Sequence, residues 1–517
     1  MEITVNKRYL VFPVNSLAST KQLVFRENGI VKYKLDMKLD YVHPDFYAYI
    51  DVARFAGSTL NLSVFPEMEL RFRQTDEMEK ENLYREPMRP QIHFTTRNGW
   101  LNDPNGLIYL DGTYHLFYQH NPAEPNWGNM HWGHAVSQDL IHWEERELAL
   151  FPDERGTMFS GSAVLDEENL LGKNTQDRKA VALFYTTTSP FSQNLSWSAD
   201  GLKTIEKFDG NPVVPHIVSE NRDPKVQFCR ELGCYVMALY LQDDLYSILR
   251  SEDLVHWEEL QRIVLKGEYE CPDIFPICDG EGTRKWVFIG CRDHYLVGSF
   301  QSGKFVPEQE IKALSYGNAA VAGQNFSNLQ DGRTIRMEWD CWDLPAPGFN
   351  GQMGIPMELS LERRADAYYL KAKPVRELDL LCKHKVSYEN VRISNDRPFV
   401  QKLEEAPQRV HIKGTTGQTG RLTLRIFGRT VDIDLSENTV KLGRITAPVS
   451  VAEKELDMIL IMDTCSIELF LDDGRVFASC LDTSSVIDWN LPWLRLETSE
   501  QLQLQSVEIS ALNSIWL

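Results

Sequence analysis

Ser137-Gln-Asp-Leu-Ile-His-Trp-Glu144 returns almost unchanged as Ser251-Glu-Asp-Leu-Val-His-Trp-Glu258, and a degenerate copy, Ser198-Ala-Asp-Gly-Leu-Lys-Thr204, lies between them. The copies stand 61 and 53 residues apart. Around them the chain reads as short alternating strands such as Tyr114–Tyr118 and Lys285–Ile289, bounded by Gly, Asp and Asn. A four-stranded sheet fills such a period and cannot bury both of its faces alone. Repeats of this size in an all-β chain predict propeller blades stacked around an axis, with a funnel where their loops meet. Helical periodicity is scarce. The one short helix that propensity favours is Asp76–Tyr84, rich in Glu and Met.

The flanks of the repeat set the boundaries. Residues 1–88 carry strands Phe46–Val52 and Thr59–Val64, turned at Gly57, and then a charged stretch. They read as a small N-terminal β domain and linker. Residues 89–377 hold the propeller. In residues 378–517, Arg421–Ile426, Val431–Leu435 and Ser466–Leu471 alternate cleanly, and Asp472-Asp473-Gly474 is a hairpin turn signal. A C-terminal β-sandwich follows. The chain's 517 residues suit about three domains.

Composition removes several classes. Hydrophobic residues make up 43% and charged residues 25%, as in an ordinary globular protein. The 54 Lys+Arg against 74 Asp+Glu give a formal charge of −20, which repels nucleic acid and anionic lipid. The N-terminus carries no secretory h-region, and no apolar run is long enough to span a membrane. Nine scattered cysteines with no Cys-x-x-Cys pair read as reduced, mostly buried thiols. The expected location is the cytoplasm.

The densest chemistry lies at Trp100-Leu-Asn-Asp-Pro-Asn-Gly106, a tight turn by composition. His93, Trp100, Gln119, His120, Asn121, Trp127 and Trp132 cluster around it within about 40 residues. Indoles take the apolar face of a sugar, and side-chain amides pair with its hydroxyls. Further carboxylates stand in Asn221-Arg-Asp-Pro224 and Tyr269-Glu-Cys-Pro-Asp273. Glycoside hydrolysis needs two carboxyl groups, one ionised and one protonated. His131 and His134 lack the spacing of a zinc site, so no metal or other cofactor is expected. Trp143 and Trp257, inside the repeat, read as packing residues.

Together these stretches resemble glycoside hydrolase family 32, the invertases, inulinases and levanases that cleave β-fructofuranosides. The likeness runs from about Gln91 to the C-terminus. It rests on Trp100–Gly106, Tyr118-Gln-His-Asn-Pro122, Trp127-Gly128, His131-Trp-Gly-His134, Phe159-Ser-Gly-Ser-Ala163, Arg222-Asp-Pro224, Glu270-Cys271 and the Asp472-Asp473-Gly474 turn. The resemblance implies a five-bladed β-propeller followed by a β-sandwich. It implies Asp103 as nucleophile on the anomeric carbon of fructose, Glu270 as general acid and base, and Asp223 with Arg222 holding the sugar hydroxyls. Trp100, Asn102, Gln119, Trp127, Phe159, Ser160 and Arg222 are the expected substrate-binding residues. Neighbouring carboxylates are expected to raise the pKa of Glu270. A retaining reaction that releases fructose from chain ends of small neutral sugars would follow.

Two stretches depart from the family. Tyr316-Gly-Asn-Ala-Ala-Val-Ala-Gly-Gln-Asn-Phe326 has small residues where an aromatic is expected, and the Pro-Arg-Glu-Leu phrase becomes Pro356-Met-Glu-Leu359. Both bear on substrate preference and leave the three carboxylates in place. A fructosyltransferase, including one forming a difructose anhydride, would use the same carboxylates. The motifs also leave room for a non-catalytic sugar-binding protein, or for a propeller glycosidase acting on arabinans. The N-terminal or C-terminal β domain offers a surface for homo-oligomer contacts.

Overall fold

The computed structural model describes residues 1–79, 83–341, 348–365, 367–415, 420–449, 455–481, 488 and 490–516. The described chain is almost entirely β-structure, with three short 3-10 turns. Among the described residues no helix is long and apolar enough to cross a membrane.

Two small sheets open the chain. One has the order Glu2–Thr4, Thr59–Phe65, Lys21–Glu27, Ile30–Met37; the other has Phe46–Asp51, Tyr9–Val14, Arg73–Thr75. Their alternating inner residues, among them Phe12, Phe25, Leu35, Ile50 and Leu62, share one core. Gly57 does turn the chain, at φ 79°. The strands on either side of it nevertheless enter different sheets, because the short 3-10 turn Ala53–Phe55 carries the chain across the core first.

The helix expected at Asp76–Tyr84 is not formed at Asp76–Glu79 or at Leu83–Tyr84; residues 80–82 lie outside the described residues. Tertiary contacts override propensity here. Arg73–Thr75 is taken up as a strand beside Tyr9–Val11. The Asp76 carboxylate accepts the Arg8 backbone N–H at 3.2 Å. Met78 packs on Tyr9, Val11 and Tyr49.

Five antiparallel sheets follow, each built on four strands taken in chain order. Their first strands are Gly99–Leu110, Met158–Leu165, Arg222–Cys229, Asp273–Cys278 and Ala320–Asn325. Each first strand packs against the first strand of the next sheet, and the fifth returns to the first. Phe349–Asn350 also adds a short parallel pairing to Gly99–Trp100.

The repeat is the turn from the third to the fourth strand of the first three sheets. Asp139 accepts the backbone N–H of Ile141 (3.0 Å) and His142 (2.8 Å), and its other oxygen meets His142 Nδ1. Asp253 does the same with Val255 and His256. Leu140 and Leu254 both sit at φ 68°, and Gly201 at φ 81° holds the matching place in the degenerate copy. Trp143 and Trp257 donate their indole N–H back to Leu140 and Leu254.

Two six-stranded sheets complete the chain, in the orders Cys382–Ile393, Leu502–Leu512, Gln408–Thr415, Glu455–Met462, Ser466–Leu471, Val476–Leu481 and Phe399–Lys402, Trp493–Thr498, Arg421–Ile426, Arg429–Asp434, Thr439–Leu442, Ile445–Pro448. Val410, Ile412, Leu424, Ile433, Leu460 and Leu496 fill the core between them. Asp472-Asp473-Gly474 joins two paired strands as expected. The loop is a 3-10 turn with Asp473 at φ 54°.

A buried polar bolt fastens these sheets to the five-sheet ring. His93 Nδ1 bonds Asp463 at 2.8 Å, and its Nε2 faces Glu468 at 3.4 Å; all three side chains are buried. Asp463 also accepts the backbone N–H of Gln91, Ile92 and Thr464. Burial disfavours the imidazolium, but Glu468 and Asp463 outweigh it and push His93 up to about 10. Its folded-state pKa lies above the ordinary 6.5 of an unfolded chain. The stability it confers is therefore complete below about pH 6.5 and is lost as pH rises toward 10. Thermal unfolding across pH 6–10 should show this slope in the wild type and a flatter one in His93→Gln.

Candidate active site

Four of the five first strands are distorted at the end where they face one another. The pairing register slips between Asn102 and Pro104, between Met158 and Gly161, between Arg222 and Lys225, and between Val321 and Gln324. A bulge bends a strand and re-aims one side chain out of the alternating pattern. Asp103, Ser160 and Asp223 all sit inside such slips. Glu270 and Cys271, just before the fourth first strand, adopt φ 54° and 37°, and Asp223 adopts φ 65°. Non-glycine residues rarely hold this left-handed conformation, and it is concentrated at functional sites.

These distortions bring the three predicted carboxylates into one cluster. Ser160 donates its hydroxyl to Asp103 at 2.6 Å. The Cys271 Sγ lies 3.5 Å from a carboxylate oxygen of Asp103 and 3.5 Å from one of Asp223. The Cys271 backbone N–H donates to Asp223 at 3.1 Å. Arg222 pairs with Glu270 at 3.1 Å, and its Nε lies 3.8 Å from Asp223. The guanidinium is held over the Tyr240 ring at 4.8 Å. Behind Asp223, its backbone N–H donates to the Thr186 hydroxyl, which in turn donates to Gln193. The Tyr246 hydroxyl fixes the Glu270 backbone carbonyl at 3.2 Å.

The electrostatics follow from this crowding. Burial raises Asp223 to about 7; Arg222 opposes the rise, and Glu270 and Asp103 add to it. Glu270 is also raised. Its first cause is burial, with Arg222 pulling back and Asp103 pushing up. The direction is the expected one, but burial leads and the neighbouring carboxylates come after it. Cys271 is pushed well above the ordinary thiol range by its contact with Cys291, by burial and by the two aspartates. It therefore stays a neutral S–H donor between them.

The other predicted residues take different places. Asn102 and Gln119 face each other across neighbouring strands. The Asn102 side-chain oxygen accepts the Trp100 indole N–H at 2.7 Å, and the Gln119 amide nitrogen has no partner among the described residues. Trp100 is 8% exposed and packs edge-on against Trp339. Trp127 is 60% exposed and meets Phe159 edge-to-face at 5.8 Å; Phe159 continues onto Phe191. His115 and His134 stack on each other, while His131 bonds the Tyr33 hydroxyl.

A cavity of about 550 Å³ opens beside Asp103 and Glu270. Tyr269, Tyr316 and Trp339 supply its aromatic wall, and Gly317, Ala320 and Ala322 a low one. Arg292, His294, Ser315 and Asn318 add polar groups to the wall, and the size and mix suit a small polar ligand. A larger cavity of about 770 Å³ lies elsewhere, between Arg8, Arg97, His115, Arg146 and Arg178, and holds none of the three carboxylates. Sequence reasoning missed Thr186, Tyr240, Tyr246, Cys291 and Trp339. Each reaches the site only through pairing distant in the chain, so no local pattern marks it.

Known proteins share this framework. Residues 93–374 match the glycosyl hydrolases family 32 N-terminal domain. The levanase of Bacillus subtilis is 31% identical over 446 residues, 76% of this chain and 66% of the levanase. The invertase of Schizosaccharomyces pombe is 37% identical over 247 residues, 43% of this chain and 42% of the invertase. The sucrose-6-phosphate hydrolase of Zymomonas mobilis is 30% identical over 458 residues, 75% of this chain and 84% of the hydrolase. The chain thus spans less than two thirds of the levanase and of the invertase. The exo-inulinase of Aspergillus awamori superposes with a TM-score of 0.73 at 22% identity, covering 84% of this chain and all of that one, and so shares its fold. The fold and the cluster define a glycoside hydrolase scaffold. More specifically, the chain belongs to glycosyl hydrolase family 32.

Arg222 is the cation that holds both raised carboxyls down. Replacing Arg222 with Gln should raise the pKa of Glu270 and of Asp223 further. Carboxyl-carbon NMR titration of wild type and variant checks the direction.

Proposed function

We propose that this protein is a retaining β-fructosidase that releases fructose from the ends of sucrose, fructo-oligosaccharides or short fructans. The observation that carries the reading is the division of labour within the cluster. Asp103 accepts the Ser160 hydroxyl and lies 3.5 Å from the Cys271 thiol that it shares with Asp223, an environment suited to a nucleophilic carboxylate. Glu270 is raised and opens onto the cavity, as a general acid requires. The relatives named levanase, invertase and sucrose-6-phosphate hydrolase support the same chemistry.

In the first step an Asp103 oxygen attacks C2 of the fructosyl unit while Glu270 gives its proton to the departing glycosidic oxygen. The C2–oxygen bond breaks, and a fructosyl ester of Asp103 forms. In the second step Glu270 takes a proton from water, the hydroxide oxygen bonds to C2, and Asp103 leaves as carboxylate. Asp223 and Arg222 hold the fructose hydroxyls, with Asn102 and Gln119 supplying amide partners. Trp127 and Phe159 offer rings to the apolar sugar face. The five sheets are read as blades of a five-bladed propeller, supported by their consecutive order and the closed run of first strands. A propeller funnel suits a chain end better than a chain middle. Unbridged thiols at Cys229, Cys234, Cys271, Cys278, Cys291, Cys382 and Cys465 support action in the reducing cytoplasm.

Asp103→Asn should lower kcat on sucrose at least about a thousandfold with the fold intact. Chromatography of products from sucrose, inulin and levan should show free fructose from the wild type. Fructosyl oligomers or a difructose anhydride without free fructose would overturn the hydrolase reading in favour of transfer.

A further inference from the structure

We propose that the N-terminal sheets are a working part of the substrate site: their edge strand, Ile30–Met37, fixes the loop 122–130 and thereby sets the pose of Trp127. This rests on the reading of Trp127 as a sugar platform.

The loop leaves the first sheet after Asn121 and returns at His131; the N-terminal sheets hold it at both ends, while Asn121 and Asn350 bind the carbonyls of Asn126 and Pro125 between them. Ala123 is buried in their core. Glu124, 7% exposed, accepts the Lys38 backbone N–H at 2.6 Å and faces the Lys38 ammonium at 3.7 Å. At the far end the Tyr33 hydroxyl meets His131 Nε2 at 2.7 Å.

Asn129 makes the closest link. Its side-chain oxygen accepts the Asp36 backbone N–H at 2.8 Å, and its amide donates to the Asp36 carbonyl at 2.7 Å. A side-chain amide thus occupies one rung of an open sheet edge, as a neighbouring strand would. The same amide also donates to Asn121 at 3.1 Å. Asn129 sits at φ 45°, a conformation asparagine tolerates better than most residues.

Between these anchors Trp127 stays 60% exposed. An indole held open by a loop pinned on both sides is a surface prepared for something to lie on. Its neighbour Phe159 precedes Ser160, the residue bonded to Asp103. The N-terminal edge strand is therefore linked to the catalytic cluster through one loop and two aromatic rings. Lys38, Tyr33 and Asn129 act on the substrate only through Trp127 and are positioning residues.

The test uses the full chain, with sucrose and inulin as probes. Asn129→Ala and Tyr33→Phe should each raise KM, for Asn129→Ala about fivefold, the cost of roughly one hydrogen bond; kcat should stay within about twofold. Asn129→Asp, which keeps the acceptor for Asp36, should recover part of the loss. Acrylamide quenching of Trp127, read as the difference from a matched Trp127→Phe protein, should increase in Asn129→Ala. A lower Tm with unchanged KM in both Asn129→Ala and Tyr33→Phe would reduce the N-terminal sheets to a stabilising role and overturn the proposal. Unchanged KM in Trp127→Ala would sink the platform reading itself, and the proposal with it.

Discussion

Three carboxyl groups crowd together at the centre of this molecule with one guanidinium beside only two of them, and most of the architecture around them answers that constraint. Like charges at close range in a dry site repel strongly. Arg222 relieves Glu270 by direct contact and Asp223 at longer range. Asp103 instead accepts the Ser160 hydroxyl and shares the Cys271 thiol with Asp223. The strands that hold these groups leave regular pairing to do so. Register slips at Asp103, Ser160 and Asp223, and left-handed backbone at Asp223, Glu270 and Cys271, are the local cost.

That cost is sustained by order elsewhere. The first strands are mostly buried, and each leans on the next around the ring. Ionic contacts carry the outer connections. His93 bonds Asp463 and faces Glu468, and so ties the ring to the C-terminal sheets. Arg336, fully buried, lies against Asp293, Glu338 and Asp273 and joins the fourth sheet to the fifth. Breaking one partner of such a group leaves an uncompensated buried charge, so these contacts enforce one arrangement more than they add stability.

What the sequence made legible was local. The Asp-Leu-x-His-Trp phrase announces a turn because Asp139 and Asp253 bond backbone groups only two and three residues on. The carboxylates were legible only through the ordered set of motifs that resembles family 32; singly, none stands above the other acidic residues. Their partners were not. Cys271 reaches Asp103 across 168 positions, and Tyr33 reaches His131 across 98. The helix expected at Asp76–Tyr84 failed for the same reason: Asp76 and Met78 are claimed by partners near the N-terminus. Trp100 shows the limit within a recognised motif. Its indole is spent on Asn102 and packs on Trp339, and it is Trp339 that faces the cavity.

The unequal exposure of Glu270 and Asp223 also distinguishes them. In a two-step displacement the acid gives up its proton and must recover it from water in every turnover. Glu270 can exchange protons with solvent, since its side chain is 34% exposed. Asp223 is 4% exposed and sits behind Arg222, Cys271 and Thr186, so it is poorly placed for that traffic. Burial raises its pKa to about 7, so the negative charge it adds to the site near neutrality is reduced. Asp223 and Glu270 are both raised chiefly by burial; access to water, more than pKa, separates the two groups.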